Sequence, residues 1–494
     1  MPSMNTKSPY TSTTAGVHER HGRARLLISI AAASLLAACS FAPTTPMEPL
    51  PVPLHWKHAA PAEGWVSASQ ARAWSQGQWW LLWDDPVLHQ LVQRVELDNQ
   101  NLKLAAANVA QAQALLRQQR AEVMPQLGGQ LGQQRSGGED RPTTGSASLS
   151  VNASWAPDLW GRIRNAVSAQ AASVQASEAD LAAARLNAQA SLAEAYLALR
   201  AADAEIALLH EIIAGYERSA SITQNRYDVG VVPRTDTLQA QATLRNAQAT
   251  RVALQRSRAG YEHAIALLVG QAPAGFVLPA APWVSAAPAV PAELPSLLLL
   301  RRPDVASAER AVTAANAQIG VARSAYFPNL SLTASLGAGG AHLADLVSAP
   351  SLLWSLGLAL AQNIFDAGAR DARVEQALAA REAAVARYRQ SVLTAMKEVE
   401  DQLSALATLA TQTEHARVAA DAAARIEQQQ MNRYQAGLSS YTEVVTAQAS
   451  ALSARRNLLQ LQLQRQLAAV GLIQALGGGW QAPWPLALSE AGVH

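Results

Sequence analysis

Two copies of one short motif decide the fold: Arg226-Tyr227-Asp228-Val229-Gly230 and Arg433-Tyr434-Gln435-Ala436-Gly437. The second copy follows the first by 207 residues, and the same spacing separates Gly270 from Gly477. A constant internal spacing indicates a duplicated structural unit. Solenoid repeats have periods of roughly 20–50 residues, so this much longer spacing predicts two copies of one large unit rather than an array.

The composition limits the class of protein. The chain has 494 residues, of which 49% are hydrophobic, 15% charged and 5% aromatic, and its net charge is +2. A nucleic-acid-binding protein normally carries a strongly basic surface, so we expect no nucleic-acid partner. A composition rich in alanine and glutamine with few aromatic residues favours long, closely packed helices.

The N-terminus has the features of a lipoprotein signal peptide. Residues 18–25 are basic, and residues 26–36 form an apolar run that is too short to span a bilayer. Cys39, the single cysteine, follows Leu36-Ala37-Ala38, which looks like a bacterial lipobox. We therefore predict a signal peptide over 1–38 and a diacylglyceryl and palmitoyl anchor on Cys39. The alternative is a buried free cysteine.

After Cys39 no stretch supplies the roughly 20 apolar residues of a transmembrane helix, so any membrane crossing would use strands. The two predicted repeats cover 86–270 and 301–477. Three segments rich in proline or tryptophan lie outside them, and we expect these to form a belt around the helices: 39–85, 271–300 and 478–494.

Each repeat reads as a helix, a strand pair, a very long helix, a tight turn and a returning helix. The first helices run to Pro125 and Pro328, and Asp84 or Asp85 is the expected N-cap before Pro86. The helical runs before the turns have about 65 residues, or about 100 Å, and must pack lengthwise to be stable. The returning helices follow Pro233 and Ser440, with Thr235 or Ser440 as N-cap and Asp236 and Glu443 in the first turn.

Polar and apolar residues alternate in the predicted strand pairs, at about 127–156 and 329–363. Such alternation is typical of membrane strands, although a sheet half-buried on a soluble core shows it too. The polar positions are Ser, Thr, Asn and Gly rather than charged residues, and Trp155 and Trp354 lie near strand ends, which favours the membrane. Four strands cannot close a barrel, because the smallest membrane barrels have about eight. Several copies of the chain must therefore share one barrel with a polar lumen.

Several motifs together resemble those of the TolC-type outer membrane efflux proteins, and most closely the NodT-type lipoprotein branch. The motifs span essentially all of residues 40–480: Trp83-Asp84-Asp85-Pro86, Arg301-Arg302-Pro303-Asp304, Tyr326-Phe327-Pro328, Phe365-Asp366 with Gly368, and the two repeated turns. The resemblance implies a mixed membrane fold: a trimeric 12-stranded outer membrane β-barrel, four strands per chain, continuous with a long periplasmic α-helical barrel. It also implies an exit duct for small molecules such as drugs, served by a periplasmic adaptor and an inner membrane pump of the RND class.

The same resemblance assigns roles to the turns. Adaptor contacts are expected at Val229, Gly230, Val231, Gly437, Leu438 and Ser439. Arg226, Tyr227, Arg433 and Tyr434 are expected to link the helix ends. Glu443 matches the acid of the family's pore constriction, while Thr446 stands where the family often has a second acid. The alternative role of Glu443 is that of a first-turn acid that compensates the helix dipole.

Three alternatives stay open at this point. An export channel for proteins would share the architecture, and a coiled-coil spacer lipoprotein would share the helices but not the alternating strands. An enzyme is disfavoured, because the sequence contains no HExxH motif, no phosphate-binding glycine loop and no nucleophile elbow. We expect neither a cofactor nor a metal.

Overall fold

The computed structural model describes residues 53, 55–58, 77–290, 301–347 and 352–484. Cys39 and the predicted signal peptide over 1–38 lie outside the described residues. The chain divides into two compact units. Among the described residues, the strand unit comprises 114–172, 313–347 and 352–383, and the helical unit comprises 53, 55–58, 77–113, 173–290, 301–312 and 384–484.

The helices show the duplication directly, because matching helices have equal lengths. The bounds are α1 Pro86–Asp98, α2 Gln100–Ala121, α3 Arg162–Asp228, α4 Arg234–Leu268, α5 Pro303–Ser324, α6 Ala369–Gln435 and α7 Tyr441–Ala475. Helices α2 and α5 have 22 residues each, α3 and α6 have 67, and α4 and α7 have 35. None of the helices in the described part of the chain combines the length and the hydropathy that a bilayer span requires.

Two details of the helices differ from the sequence-based expectation. The first helix is not continuous, since Asn99 has extended backbone angles and separates α1 from α2. The Asn99 side-chain oxygen accepts hydrogen bonds from the N–H groups of Asn101 (2.9 Å) and Leu102 (3.2 Å), which restarts the helix. Thr235 was the wrong choice of N-cap, because α4 begins at Arg234 and Pro233 occupies the cap position.

The other expected caps are present. The Asp85 carboxylate accepts from the N–H groups of Val87 (2.8 Å) and Leu88 (3.1 Å), so Asp85 rather than Asp84 caps α1. Ser440 precedes α7 as its N-cap residue.

The strand unit contains one four-stranded antiparallel sheet in the order β1-β2-β3-β4. Its strands are β1 Gln126–Gly138, β2 Arg141–Trp155, β3 Asn329–Gly340 and β4 Leu352–Ala361. The prediction of four strands per chain is confirmed for the described residues.

The register of the sheet separates an apolar face from a polar one. On the apolar face, one row across the four strands consists of Leu131, Leu149, Ala338 and Leu352, and another consists of Gly129, Val151, Leu336 and Trp354. On the opposite face, one row consists of Gly128, Asn152, Ser335 and Ser355, and another consists of Gln126, Ser154, Thr333 and Gly357. Trp354 and Leu356 on the apolar face are largely exposed in the single chain. These rows put apolar and uncharged polar groups on opposite sides of one sheet.

Candidate functional site at the helix turns

The two repeated turns have the same backbone geometry. Gly230 and Gly437 have φ angles of +78° and +76°, in the left-handed region that glycine adopts at little cost. In the first turn, the N–H of Gly230 donates to Tyr227 O and that of Val231 donates to Arg226 O, both at 2.8 Å. The N–H groups of Gly437 and Leu438 donate to the matching carbonyls at 3.0 and 2.8 Å. Each long helix therefore ends in a Schellman motif, which explains why the sequence motif places glycine at this position.

Apolar side chains point outward from both turns. Val229 is 74% exposed, Val231 61% and Leu438 70%. An alanine Cβ at either glycine would meet no atom within 4 Å, so the turn backbones are also open to solvent. Ser439 is half-buried, and within the described structure its hydroxyl has no hydrogen-bond partner. A cluster of exposed apolar groups at a chain reversal is the kind of surface that binds another protein.

Arg226 links the ends of the two long helices. Its Nη1 donates to the carbonyl oxygens of Tyr434 (2.7 Å) and Gln435 (3.4 Å), the last residues of α6. Its guanidinium carbon also lies 4.7 Å from the centre of the Tyr434 ring. A cation is favourable both at a helix C-terminus and over an aromatic ring. Tyr227 and Arg433 are exposed, and in the described part of the chain neither side chain makes a hydrogen bond, an ion pair or a ring contact. The structure therefore brings together two of the four expected residues, Arg226 and Tyr434.

The Tyr434 ring belongs to a small core behind the turns. It packs edge-on against Tyr441, with ring centres 5.0 Å apart, and both rings are buried with Ala240 and Val444. Burial raises the pKa of the Tyr441 hydroxyl to about 12, against a hydrogen bond with Thr223 that lowers it. The sequence analysis missed Tyr441, although its three-residue spacing from Val444 and Ala447 indicates one buried helix face.

Glu443 lies exposed in the first turn of α7. Its Oε1 accepts hydrogen bonds from the backbone N–H (3.5 Å) and the hydroxyl (3.3 Å) of Ser440. This is the acid half of a capping box, so the carboxylate has a structural role in a single chain.

Glu443 and Thr446 also line one groove of about 350 Å³ between α6 and α7. Thr446 donates its hydroxyl to the carbonyl of Thr442 at 2.9 Å, one helical turn away. Asp236 occupies the matching position in the first repeat, where burial raises the pKa of its carboxyl and the charge of Arg226 lowers it. Across the described residues no cluster of three or more metal-binding side chains occurs.

An amphipathic antiparallel sheet, together with long helices that end in matched turns, is typical of a channel-forming membrane protein. The model of the outer membrane efflux protein family matches residues 91–271 and 294–478. The chain belongs to this outer membrane efflux protein family, and it is the outer membrane exit channel of an efflux system. The family assignment and the function predicted from the sequence are confirmed.

Curated relatives and solved structures agree with this assignment. The toluene efflux pump outer membrane protein TtgC of Pseudomonas putida is 32% identical over 479 residues, which cover 95% of this chain and 98% of the relative. The pyoverdine export outer membrane protein OpmQ of Pseudomonas aeruginosa is 33% identical over 468 residues, which cover 92% of this chain and 96% of that protein. The cation efflux system protein CusC of Escherichia coli is 30% identical over 461 residues, which cover 92% and 99%. The outer-membrane channel OprN superposes with a TM-score of 0.81 at 29% identity, covering 90% of this chain and all of OprN.

Proposed function

We propose that three copies of this chain form one outer membrane pore through which small molecules leave the cell envelope. The observation that carries this proposal is the four-stranded sheet with two free edges and two chemically distinct faces. Within the described residues β1 pairs only with β2, and β4 only with β3. In hydrocarbon each unpaired backbone group costs several kcal/mol, so a four-stranded sheet cannot stand alone in a bilayer.

Pairing β1 of one copy with β4 of the next removes both edges from every copy. Three copies supply about twelve strands, above the smallest barrel size of about eight. In this homotrimer the leucine and tryptophan face meets lipid, and the glutamine, serine and asparagine face lines the lumen.

The long helices of the three copies form a periplasmic helical barrel, and their turns meet a periplasmic adaptor that serves an inner membrane pump of the RND class. The exposed Val229, Val231 and Leu438 form the adaptor contact, together with Gly230, Gly437 and Ser439. The Arg226–Tyr434 link holds the turns of one chain together. The names of three relatives refer to toluene, a cation and pyoverdine. These names favour small-molecule efflux over protein export for this chain.

We propose that the described parts of the segments 39–85, 271–300 and 478–494, namely 53, 55–58, 77–85, 271–290 and 478–484, form a belt around the helices of the helical unit. Three contacts in the helical unit support it. Lys57 N donates to Glu400 Oε1 at 2.6 Å, Trp283 Nε1 donates to Gln466 Oε1 at 3.0 Å, and Trp480 packs against Ala179 and Ala306.

Replacement of Cys39 by alanine tests how the protein is held in the membrane. We propose that Cys39 carries diacylglyceryl and palmitoyl groups but that the strands are the main anchor. The variant is then expected to fractionate with the outer membrane as a heat-modifiable trimer that conducts ions in planar bilayers. Recovery of a water-soluble monomer would refute the pore.

Glu443→Gln tests the constriction. Three Glu443 carboxylates around one axis would favour cations, and glutamine keeps the capping box while it removes the charge. We expect the variant channel to lose part of its cation preference, measured as the reversal potential in a salt gradient. Asp236→Asn at the matching position is the control. Unchanged selectivity in Glu443→Gln would leave Glu443 with its capping role alone.

A further inference from the structure

The ends of the two returning helices meet the backbone at equivalent places. A Cβ on Gly270, just after α4, would lie 2.4 Å from Asp98 O, and a Cβ on Gly477, just after α7, would lie 2.1 Å from Arg301 O. The end of α4 therefore abuts the break between α1 and α2, and the end of α7 abuts the start of α5. We call these contacts the first joint and the second joint.

One side chain at each joint binds the last carbonyl of the returning helix. Asn99 Nδ2 donates to Leu268 O at 2.8 Å in the first joint, and Arg302 Nη1 donates to Ala475 O at 3.1 Å in the second. Asn99 and Arg302 are equivalent residues of the duplication, as are Leu268 and Ala475. Each bond satisfies a carbonyl that a helix end leaves without an intrahelical partner.

The second joint is charged, whereas the first is neutral. Arg302 also donates to both carboxylate oxygens of Asp304, at 3.0 and 2.6 Å, and to Glu398 Oε2 of the long helix α6 at 2.6 Å. The duplication places Asn101 and Ser191 at the positions equivalent to Asp304 and Glu398. All three ionic side chains of the second joint therefore have uncharged counterparts in the first.

The two arrangements differ in strength and in what they connect. The Arg302 side chain is only 9% exposed, whereas its carboxylate partners Asp304 and Glu398 are each 45% exposed. Hydrogen bonds between ionised partners are roughly twice as strong as neutral ones. In the first repeat Gln189 Nε2 of α3 donates to Glu96 Oε1 of α1 at 2.9 Å, but this hydrogen bond does not involve Asn99.

We infer that Arg302 is a positioning residue that fixes the second joint to the long helix α6. The first joint has no equivalent bond to a long helix from Asn99, and the helices that meet there move more freely. Helices α5, α6 and α7 then move as one body, whereas α4 can shift against α2. The two joints thus differ in stiffness, although the first repeat has an ion pair of its own between α4 and α3, from Arg258 Nε to Asp203 Oδ1 at 2.6 Å.

Distances between pairs of spin labels test this inference on the full-length protein in membranes. Gln464 and Ala311 are exposed and lie on either side of the second joint, and Ser257 and Asn108 are their exposed equivalents at the first. Cys39, the only native cysteine, is replaced by alanine throughout, so labels attach only to the introduced cysteines. Labelled chains are diluted with unlabelled ones so that each measured distance lies within one chain.

In the otherwise unchanged protein we expect the distance distribution to be at least about twofold narrower across the second joint than across the first. Arg302→Asn, which copies the first joint, should widen the second distribution to the width of the first. Glu398→Gln should widen it in part. Asp401→Asn, which removes an exposed ion pair with Lys397 on the same helix, should change neither distribution.

Equal widths at the two joints in the unchanged protein would overturn the inference, and so would a second joint that keeps its width in Glu398→Gln. If Arg302→Asn does not fold, the unchanged protein and Glu398→Gln still decide the question. The measurement does not depend on conductance, so failure of the proposed pore and failure of this inference are distinguishable.

Discussion

Alanine substitutions at Gly477 and Gly437 can separate two costs. One is the cost of a left-handed backbone conformation, and the other is the cost of a new side chain that contacts neighbouring backbone. The φ angles of Gly477 and Gly437 are +83° and +76°, so alanine at either site adopts the same unfavourable conformation, at about 1–2 kcal/mol. Only at Gly477 does the new Cβ also meet backbone, 2.1 Å from the carbonyl oxygen of Arg301. Forcing a carbon into a packed site costs about 1–3 kcal/mol. We therefore expect Gly437→Ala to lose about 1–2 kcal/mol and Gly477→Ala about 2–5 kcal/mol.

The assay is thermal unfolding of the detergent-solubilised protein, followed by the helical circular dichroism signal. One kcal/mol shifts the midpoint of a 150–250-residue protein by about 2–4 °C, and a longer chain shifts less. The additional packing cost should lower the unfolding midpoint of Gly477→Ala by at least about 1–2 °C relative to that of Gly437→Ala. Gly270→Ala, with its Cβ 2.4 Å from Asp98 O, should resemble Gly477→Ala. Equal midpoints for Gly437→Ala and Gly477→Ala would refute the claim that the joints are closely packed.

Two further changes test single side chains of the helical unit. Asp85→Ala removes the cap of α1 and a 2.6 Å hydrogen bond from the Tyr196 hydroxyl, so we expect a loss of about 1–3 kcal/mol in thermal unfolding, with Asp84→Asn nearly neutral as the control. Burial raises the pKa of the Glu194 carboxyl above its ordinary value of 4.5. The ionised carboxylate therefore destabilises the folded state at neutral pH. This destabilisation decreases as the pH falls through the raised pKa, because the carboxyl becomes protonated. Glu194→Gln should therefore unfold at a higher temperature than the unchanged protein at pH about 7, and this advantage should shrink towards pH about 4. An advantage independent of pH would show that the charge of Glu194 is not its cause.

The features that the sequence predicted correctly are those that short-range patterns determine. The turn glycines require a left-handed backbone whatever surrounds them, and the alternation in the strands fixes their faces without reference to the rest of the chain. The break at Asn99 lies inside a continuous helical pattern, so the sequence does not predict it, although asparagine is a common N-cap. It is explained by a contact with Leu268 and Gly270, which lie about 170 residues later in the sequence. The same holds for Arg226, whose partner Tyr434 lies 208 residues away.

The duplication also limits the symmetry that the proposed trimer can have. Three chains with two repeats each would place six similar helix pairs around one axis. The equivalent acids of the two repeats nevertheless have different surroundings. Asp236 is partly buried and lies in the field of Arg226, whereas Glu443 is exposed and, within the described part of the chain, its carboxylate accepts hydrogen bonds only from Ser440. The positive charge of Arg226 thus acts on one of the two acids, Asp236, in each chain. The charge distribution in a ring of acids at the turns would therefore have threefold symmetry, even though the surrounding helices approach sixfold symmetry. This difference predicts that Asp236→Asn and Glu443→Gln have unequal effects on cation selectivity, and equal effects would show that the environment of Arg226 does not separate the two acids.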